Sequence, residues 1–303
     1  MRFRFRHISI LIALTICFSI GCSKSENDER LEKDNALIER ELKSKKISFT
    51  KLNNVYHAIQ RKGYGYMVAP GDSVAFWYVG YIFGQGNFIF DTNVPEIALK
   101  AGLDTSVISF DPIVVIAGDN KLIEGIGRGL MQCREKEFAS IYFSSILGFG
   151  GHSVGPVPAW SPLGYDILIF SVINNHIKAE QKSIANFVSQ NEGFVQDTIG
   201  FWKRYVSHSI SETYPSFGDT IYGWYRERIL NGEIVNEAPN EGKMMVLDNN
   251  NSTEGLMFGF MQMSPTDRLE LVVPSSLGYG IHGISGVPPY TPLFYELRLD
   301  SIK

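Results

Sequence analysis

Short, dense hydrophobic runs recur along this chain, separated by Gly and Pro. Residues 74–82 and 165–173 are rich in aromatic and β-branched side chains, as are 269–273 and 293–299, and such runs predict strands. Residues 122–132 break the pattern: Ile123, Ile126, Leu130 and Met131 stand near helical spacing and predict one short helix. Residues 178–190, with Ile184, Phe187 and Val188 as the apolar positions, predict a connecting helix. An antiparallel sheet that buries one face on a short helix is an α+β solution.

The pattern occurs twice. At an offset of 147, Gly71-Asp72 meets Gly218-Asp219 and Trp77-Tyr78 meets Trp224-Tyr225. At an offset of 130, Gly125 meets Gly255, Gly129 meets Gly259, and Met131-Gln132 meets Met261-Gln262. The same offset carries Leu147-Gly148-Phe149-Gly150 onto Leu277-Gly278-Tyr279-Gly280, Val157-Pro158 onto Val287-Pro288, and Tyr165 onto Tyr295. Ordered matches at two fixed offsets predict two copies of one domain. The first copy holds 17 extra residues between Tyr78 and Gly125, mostly around 94–111, which predicts a longer surface excursion there.

The first residues read as an address. Arg2, Arg4 and Arg6 precede a 13-residue, largely apolar run at 8–20, followed by Ser19-Ile20-Gly21-Cys22. That run is short for a bilayer core of ~30 Å and suits a signal peptide. Gly21-Cys22 at its end resembles the lipobox of bacterial lipoproteins, which implies cleavage after residue 21, acylation of Cys22 and anchoring in the cell envelope. Ser23 after the cysteine favours the outer membrane in that family's sorting pattern. From 24 to 46, 14 of 23 residues are charged, so residues 22–50 are expected to form a tether, at most a marginal helix. Residues 51–177, a linker helix at 178–194, and 195–303 complete the expected organisation.

Composition narrows the chemistry. The 303 residues carry a formal net charge of -4, so no excess of basic groups points to nucleic acid. Three cysteines cannot build a disulfide framework, and Cys133, the one left besides Cys22 after cleavage, is expected to be buried and inert. Six histidines lack ligand spacing, so neither a metal nor a cofactor is expected.

The Gly-Asp strand start, Phe90-Asp91, Ile123-x-Gly125 and the Tyr-Gly…Pro-Pro segment, in this order and duplicated, resemble FKBP-type peptidyl-prolyl isomerases. With the lipidation signal, the arrangement further resembles the FKBP-type lipoproteins associated with gliding bacteria. The resemblance implies two tandem FKBP-like domains and clients that are proline-containing polypeptides. It implies that Tyr78, Phe90 and Tyr165 wall a proline pocket with Asp91 as the polar group beside them. Leu122 and Ile123 are expected where the substrate chain meets the backbone. Ile126 stands where a Trp floors the pocket in well-known members, and Phe149 where a Tyr hydroxyl meets the substrate. Val157 and, across the insertion, Ile113 complete the wall. In the second copy Tyr225, Tyr279, Val287 and Tyr295 remain. Val235-Asn236 replaces the Phe-Asp pair, Thr253 the pocket Ile, and Leu256 the floor. A looser, wetter and weak or inactive second site is therefore expected. Taken singly, each of these aromatics reads as core packing and Asp91 as a turn aspartate; an FKBP-like scaffold without turnover is the alternative reading.

Overall fold

The computed structural model describes residues 25–303 apart from residues 210, 212, 249 and 251. Cys22 and the signal segment lie outside the described residues. The first half runs α1 (Glu26–Ser44), β1 (Thr50–Leu52), β2 (Val55–Arg61), β3 (Ser73–Ile82), β4 (Phe88–Thr92), α2 (Pro95–Ala101), β5 (Ile113–Ile116), α3 (Glu124–Leu130), β6 (Phe138–Phe143) and β7 (Leu163–Ile173). The second runs α4 (Asn175–Gln190), β8 (Val195–Gln196), β9 (Trp202–Ser207), β10 (Thr220–Ile229), β11 (Ile234–Glu237), β12 (Lys243–Val246), α5 (Glu254–Phe260), β13 (Arg268–Val273) and β14 (Leu293–Ile302).

Each half builds a seven-stranded antiparallel sheet. The orders are β1-β2-β6-β7-β3-β4, with β5 also on β3, and β11-β10-β14-β13-β9-β8, with β12 also on β10. These are one topology read from opposite ends. Residue pairings carry the repeat down to single positions: Gly80 lies opposite Asp91 and Tyr165, and Glu227 lies opposite Asn236 and Tyr295. Fifteen of the 17 extra residues fall between β4 and β5, where they form α2 and its flanks, and two fall in the β3–β4 hairpin.

On one face of each sheet lies the short helix. α3 contributes Ile126 and Leu130 to a core with Ile141, Phe143, Tyr165 and Ile167. The helix lies very close to the sheet, and its glycines permit this. A Cβ on Gly125 would lie 2.3 Å from the Phe143 ring, and one on Gly129 2.5 Å from Ile141 Cδ1. Gly255 and Gly259 face Val273 and Leu271 in α5 at 2.4 Å in the same way. The repeated G-x-x-x-G spacing is therefore a packing requirement, and no larger residue fits there without displacing the helix.

The other face carries the longer helix, and here the expected tether needs correction. α1 is fixed to the fold: Ile38 and Leu42 are fully buried beside Tyr56, Tyr81, Phe83 and Tyr142. A capping box between Ser25 and Asp28 starts the helix, and three acidic residues in its first turn suit the helix dipole. Burial of two aliphatic side chains contributes roughly 1.5–3 kcal/mol each, which a charged helix in isolation lacks. α4 is likewise more than a linker, because Ile184, Phe187 and Val188 pack with Phe194, Leu230, Val272 and Phe294 on the second sheet. Each sheet is thus held between a short helix and a long one.

The two long helices use the same buried device. Asp34 accepts hydrogen bonds from Ser145 N at 2.9 Å and Ser145 Oγ at 2.5 Å; Glu180 accepts from Ser275 N at 2.5 Å and Ser275 Oγ at 2.8 Å. Both serines open a 3-10 turn that follows the strand beneath the short helix. At an offset of 146, Leu31, Asp34, Ile38 and Leu42 correspond to Ile177, Glu180, Ile184 and Val188. The repeat therefore begins with its long helix. Between the halves, Arg134 Nη1 donates to Glu254 Oε2 at 3.1 Å, and Tyr64 meets Phe258 edge-on at 5.2 Å.

Asp34→Ala leaves the buried Ser145 N–H without its partner and should destabilise the protein by about 1–3 kcal/mol, read as a lower urea midpoint at unchanged slope. Glu180 gives a pH dependence of defined sign. Burial raises its carboxyl to about 7 from 4.5, against the pull of Ser275 and Tyr66. Between those values the folded protein keeps a proton that the unfolded chain releases. This contribution is full below the unfolded value and is lost as pH rises through 7, an effect of about 3 kcal/mol. Urea midpoints at pH 5 and pH 8 should differ more in the wild type than in Glu180→Gln.

Candidate functional site

The first half gathers its candidate residues on the α3 side of the sheet. β3 supplies Tyr78, β4 supplies Phe90 and Asp91, and β7 supplies Tyr165. The Tyr78 and Tyr165 rings lie 6.1 Å apart, and Phe90 meets Tyr165 at 6.0 Å and Phe149 at 6.1 Å, both edge-on. Phe143 stacks beneath Tyr165 at 5.9 Å, which fixes the innermost ring from the core side. Tyr165 and Val157 are buried, and Tyr78, Phe90, Ile113, Leu122, Ile123 and Phe149 are partly buried against the same core. Ile126 is buried under α3. The structure thus brings every first-half candidate to one aromatic cluster.

Gly80 makes the arrangement sterically possible. A Cβ there would lie 2.7 Å from Tyr165 Cε1 and 3.2 Å from Phe90 Cζ, so any side chain would enter the space between these rings.

Polar groups at the site are few and paired. Tyr78 Oη donates to Asp91 Oδ2 at 2.9 Å, and both burial and that carboxylate raise the phenol's pKa well above the usual range. Tyr165 is shifted in the same direction, chiefly by burial. Both phenols remain neutral donors at physiological pH. Leu122 and Ile123 precede the first turn of α3, and Ile123 is its N-cap with an extended-type ψ of 129°.

Two residues absent from the sequence expectations hold Tyr78. Thr92 Oγ1 donates to Tyr78 O at 2.6 Å, and Tyr78 N donates to Asn93 Oδ1 at 2.7 Å. Asn93 is buried, and its amide also donates to Phe76 O at 3.1 Å and Asp111 O at 2.9 Å, tying the far end of the excursion to β3. A Thr-Asn pair directly after Phe-Asp is a weak signal in sequence. Its role depends on where β4 leaves the sheet.

The second half keeps the frame and changes the contents. Tyr225, Val287 and Tyr295 are buried, and Tyr279 is partly buried against that core. Asn236 Nδ2 and Lys243 Nζ donate to Tyr225 Oη at 3.0 and 3.1 Å, so this phenol accepts where Tyr78 donates. Thr253 Oγ1 lies 2.8 Å from Tyr295 Oη. The expected looser site is present in part: a cavity of about 270 Å³ lies between Tyr225, Lys243, Ser252 and Leu256, while the end at Tyr279 and Tyr295 is occupied. Glu227 stands where the first half has Gly80, and its side chain is only 2% exposed. Burial raises its carboxyl, moderated by Tyr279 and Tyr295, which face it, and its Oε1 has no hydrogen-bond partner among the described residues.

Among the described residues one group has the chemistry of a metal site, and it lies in the first core, away from the aromatic cluster. His57 Nε2 is 2.8 Å from Glu137 Oε1 and 3.7 Å from Cys133 Sγ, and all three residues are buried. Cys133 donates to Gly129 O at 3.4 Å, and burial beside Glu137 raises its thiol well above the ordinary value. The three groups satisfy one another, and a neutral thiol is a poor nucleophile.

Residues 211–300 match a family model described as FKBP-type peptidyl-prolyl cis-trans isomerase. The macrophage infectivity potentiator of Trypanosoma cruzi is 31% identical over 90 residues, 29% of this chain and 46% of that protein. Peptidyl-prolyl cis-trans isomerase FKBP10 of Mus musculus is 25% identical over 193 residues, 62% of this chain and 30% of that protein, a length that exceeds either half. A solved peptidyl-prolyl cis-trans isomerase from Pseudomonas syringae pv. tomato is 21% identical with a TM-score of 0.38, covering 42% of this chain and 93% of its own. The chain spans less than half the length of these curated relatives. The family shown by these matches is that of residues 211–300, which are similar to the FKBP-type peptidyl-prolyl cis-trans isomerases.

Proposed function

We infer that the protein is a peptidyl-prolyl cis-trans isomerase acting on proline-containing polypeptides outside the cytoplasm, with turnover in the first of two tandem FKBP-like domains. The observation that carries this reading is the ring cluster of Tyr78, Phe90, Phe149 and Tyr165 with a single paired carboxylate at its edge.

The reaction asks for little else. Rotation about an X-Pro bond faces ~18–20 kcal/mol because the planar amide is stabilised by resonance. No bond to a nucleophile forms, so neutral, buried phenols suffice. The twisted amide has lost resonance and with it charge separation, so a water-poor aromatic hollow binds it better than the planar ground state. Phe149, lacking a hydroxyl, forgoes one hydrogen bond to substrate, typically ~0.5–1.5 kcal/mol net.

Cys22 is the lipid attachment point in this reading, with the protein held at the cell envelope, on the outer membrane. Because α1 begins at Glu26 and packs on the first sheet, the folded part sits close to the bilayer and is not held away from it. Loss of incorporated fatty-acid label in Cys22→Ser is the expected outcome, and label retained by that variant would exclude the anchor.

A protease-coupled assay on proline peptides tests the activity. The mature chain should accelerate isomerisation at micromolar concentration; no acceleration over the uncatalysed rate rejects turnover. Phe90→Ala combined with Asp91→Ala should lower kcat/KM at least tenfold. Tyr78→Phe, which removes one hydrogen bond, should lower it by roughly 2–12-fold, the rate equivalent of ~0.5–1.5 kcal/mol. Tyr279→Ala should leave it within twofold. The buried Glu227 carboxyl in the second site favours a companion role for that half as scaffold without turnover, and suppression of client aggregation that survives the Phe90/Asp91 double variant is the outcome that distinguishes it.

A further inference from the structure

We propose that Glu227 is a built-in plug that takes the Tyr279–Tyr295 end of the second half's hollow away from proline, leaving only the cavity beside Tyr225 and Leu256, and that the residue at this one strand position determines which half admits substrate. The proposal rests on the reading of the first hollow as a proline site and deepens it.

Three observations converge. First, the position is equivalent in both sheets: Gly80 lies directly opposite Tyr165 and Glu227 directly opposite Tyr295. Second, the direction of a side chain there is known from the first half, where a Cβ on Gly80 would already press on Tyr165 and Phe90. Glu227 follows that direction inward. It is 2% exposed, and it faces Tyr279 and Tyr295, the counterparts of Phe149 and Tyr165. Third, its surroundings have made room. Val235 stands at the position of Phe90, so the second half lacks the ring that a side chain at Gly80 would strike.

The substitution also changes what the hollow can bind. A pyrrolidine ring needs an apolar, unoccupied space, and a buried carboxyl with one unpartnered oxygen offers neither. Lys243, which stands where the first half has Ile113, adds a charged group beside Tyr225. The hydrogen bonds to Tyr225 and the contact of Thr253 with Tyr295 keep the walls in place around the plug.

Backbone amide NMR of the full mature chain, titrated with an Ala-Pro-containing tetrapeptide, tests the plug separately from turnover. In Glu227→Gly, the amides of Thr253 and Val287 should shift saturably, with an apparent affinity at least tenfold tighter than in the wild type. Glu227→Gln keeps the side chain's volume and should remain closed like the wild type. Glu227→Ala serves if the glycine variant fails to fold. The proposal is overturned if the folded short-side-chain variant binds no better than wild type, or if Glu227→Gln opens the site equally, which would assign closure to charge and not to volume. Amides of Phe149 and Val157 report the first hollow in the same spectra. Their silence in every variant would overturn the isomerase reading while leaving the second-half result interpretable.

Discussion

The close approach of a short helix to a twisted sheet is the constraint from which both halves take their form. Gly125 and Gly129 set α3 against Phe143 and Ile141 with no space for a methyl group, and Gly255 and Gly259 do the same for α5. That contact fixes where the helix begins, and the residues at its start, Leu122 and Ile123, are those that edge the aromatic cluster. Phe143 has two duties here. One face receives the helix glycine, and its ring stacks under Tyr165, so helix position and the placement of the innermost ring of the aromatic cluster are mechanically one feature.

The opposite face of each sheet explains how so short a helix can be positioned by so large a scaffold. The long helices α1 and α4 bury an aliphatic stripe on the sheet and place one carboxylate on the serine that opens the following 3-10 turn. The bonds span more than ninety residues in sequence, and they tie the first element of each repeat to the loop that follows its sixth strand. A buried carboxylate is costly to desolvate, and two hydrogen bonds from one serine offset that cost. The two halves solve the same problem with Asp34 and with Glu180, one methylene longer.

Against this shared frame the sites have diverged in a coordinated way. Loss of the Phe90 ring, gain of the Glu227 side chain, exchange of Asp91 for Asn236 and of Ile113 for Lys243 change one hollow's contents while the walls at Tyr225, Val287 and Tyr295 stay. The family match covers this half, residues 211–300, which agrees with a framework retained where pocket residues have changed. Small-residue positions are where such divergence is easiest, because a glycine that faces a cavity can accept a side chain whenever a neighbouring ring is lost.

Much of this was legible in the linear chain because its signals are local or repeated. Alternating aromatic and β-branched runs mark β3, β7, β13 and β14, and two fixed offsets mark the duplication and the long excursion between β4 and β5. The aromatic cluster follows from the resemblance residue by residue. The burial of α1 could not be read the same way, since 14 charges in 23 residues mask a stripe of Leu31, Asp34, Ile38 and Leu42 that acquires meaning only against a sheet. Glu227 and Asn93 were invisible for a related reason. A glutamate on a strand is usually solvated, and an asparagine after a strand is usually a turn; only the pairing of β10 with β14, and the departure of β4 from β3, turns one side chain into a hollow and the other onto Tyr78. The sequence by itself determined which elements form and that they form twice, because periodicity and repetition are properties of the chain. Which faces meet, and hence which side chains line each hollow, was decided by tertiary contacts between residues far apart along it.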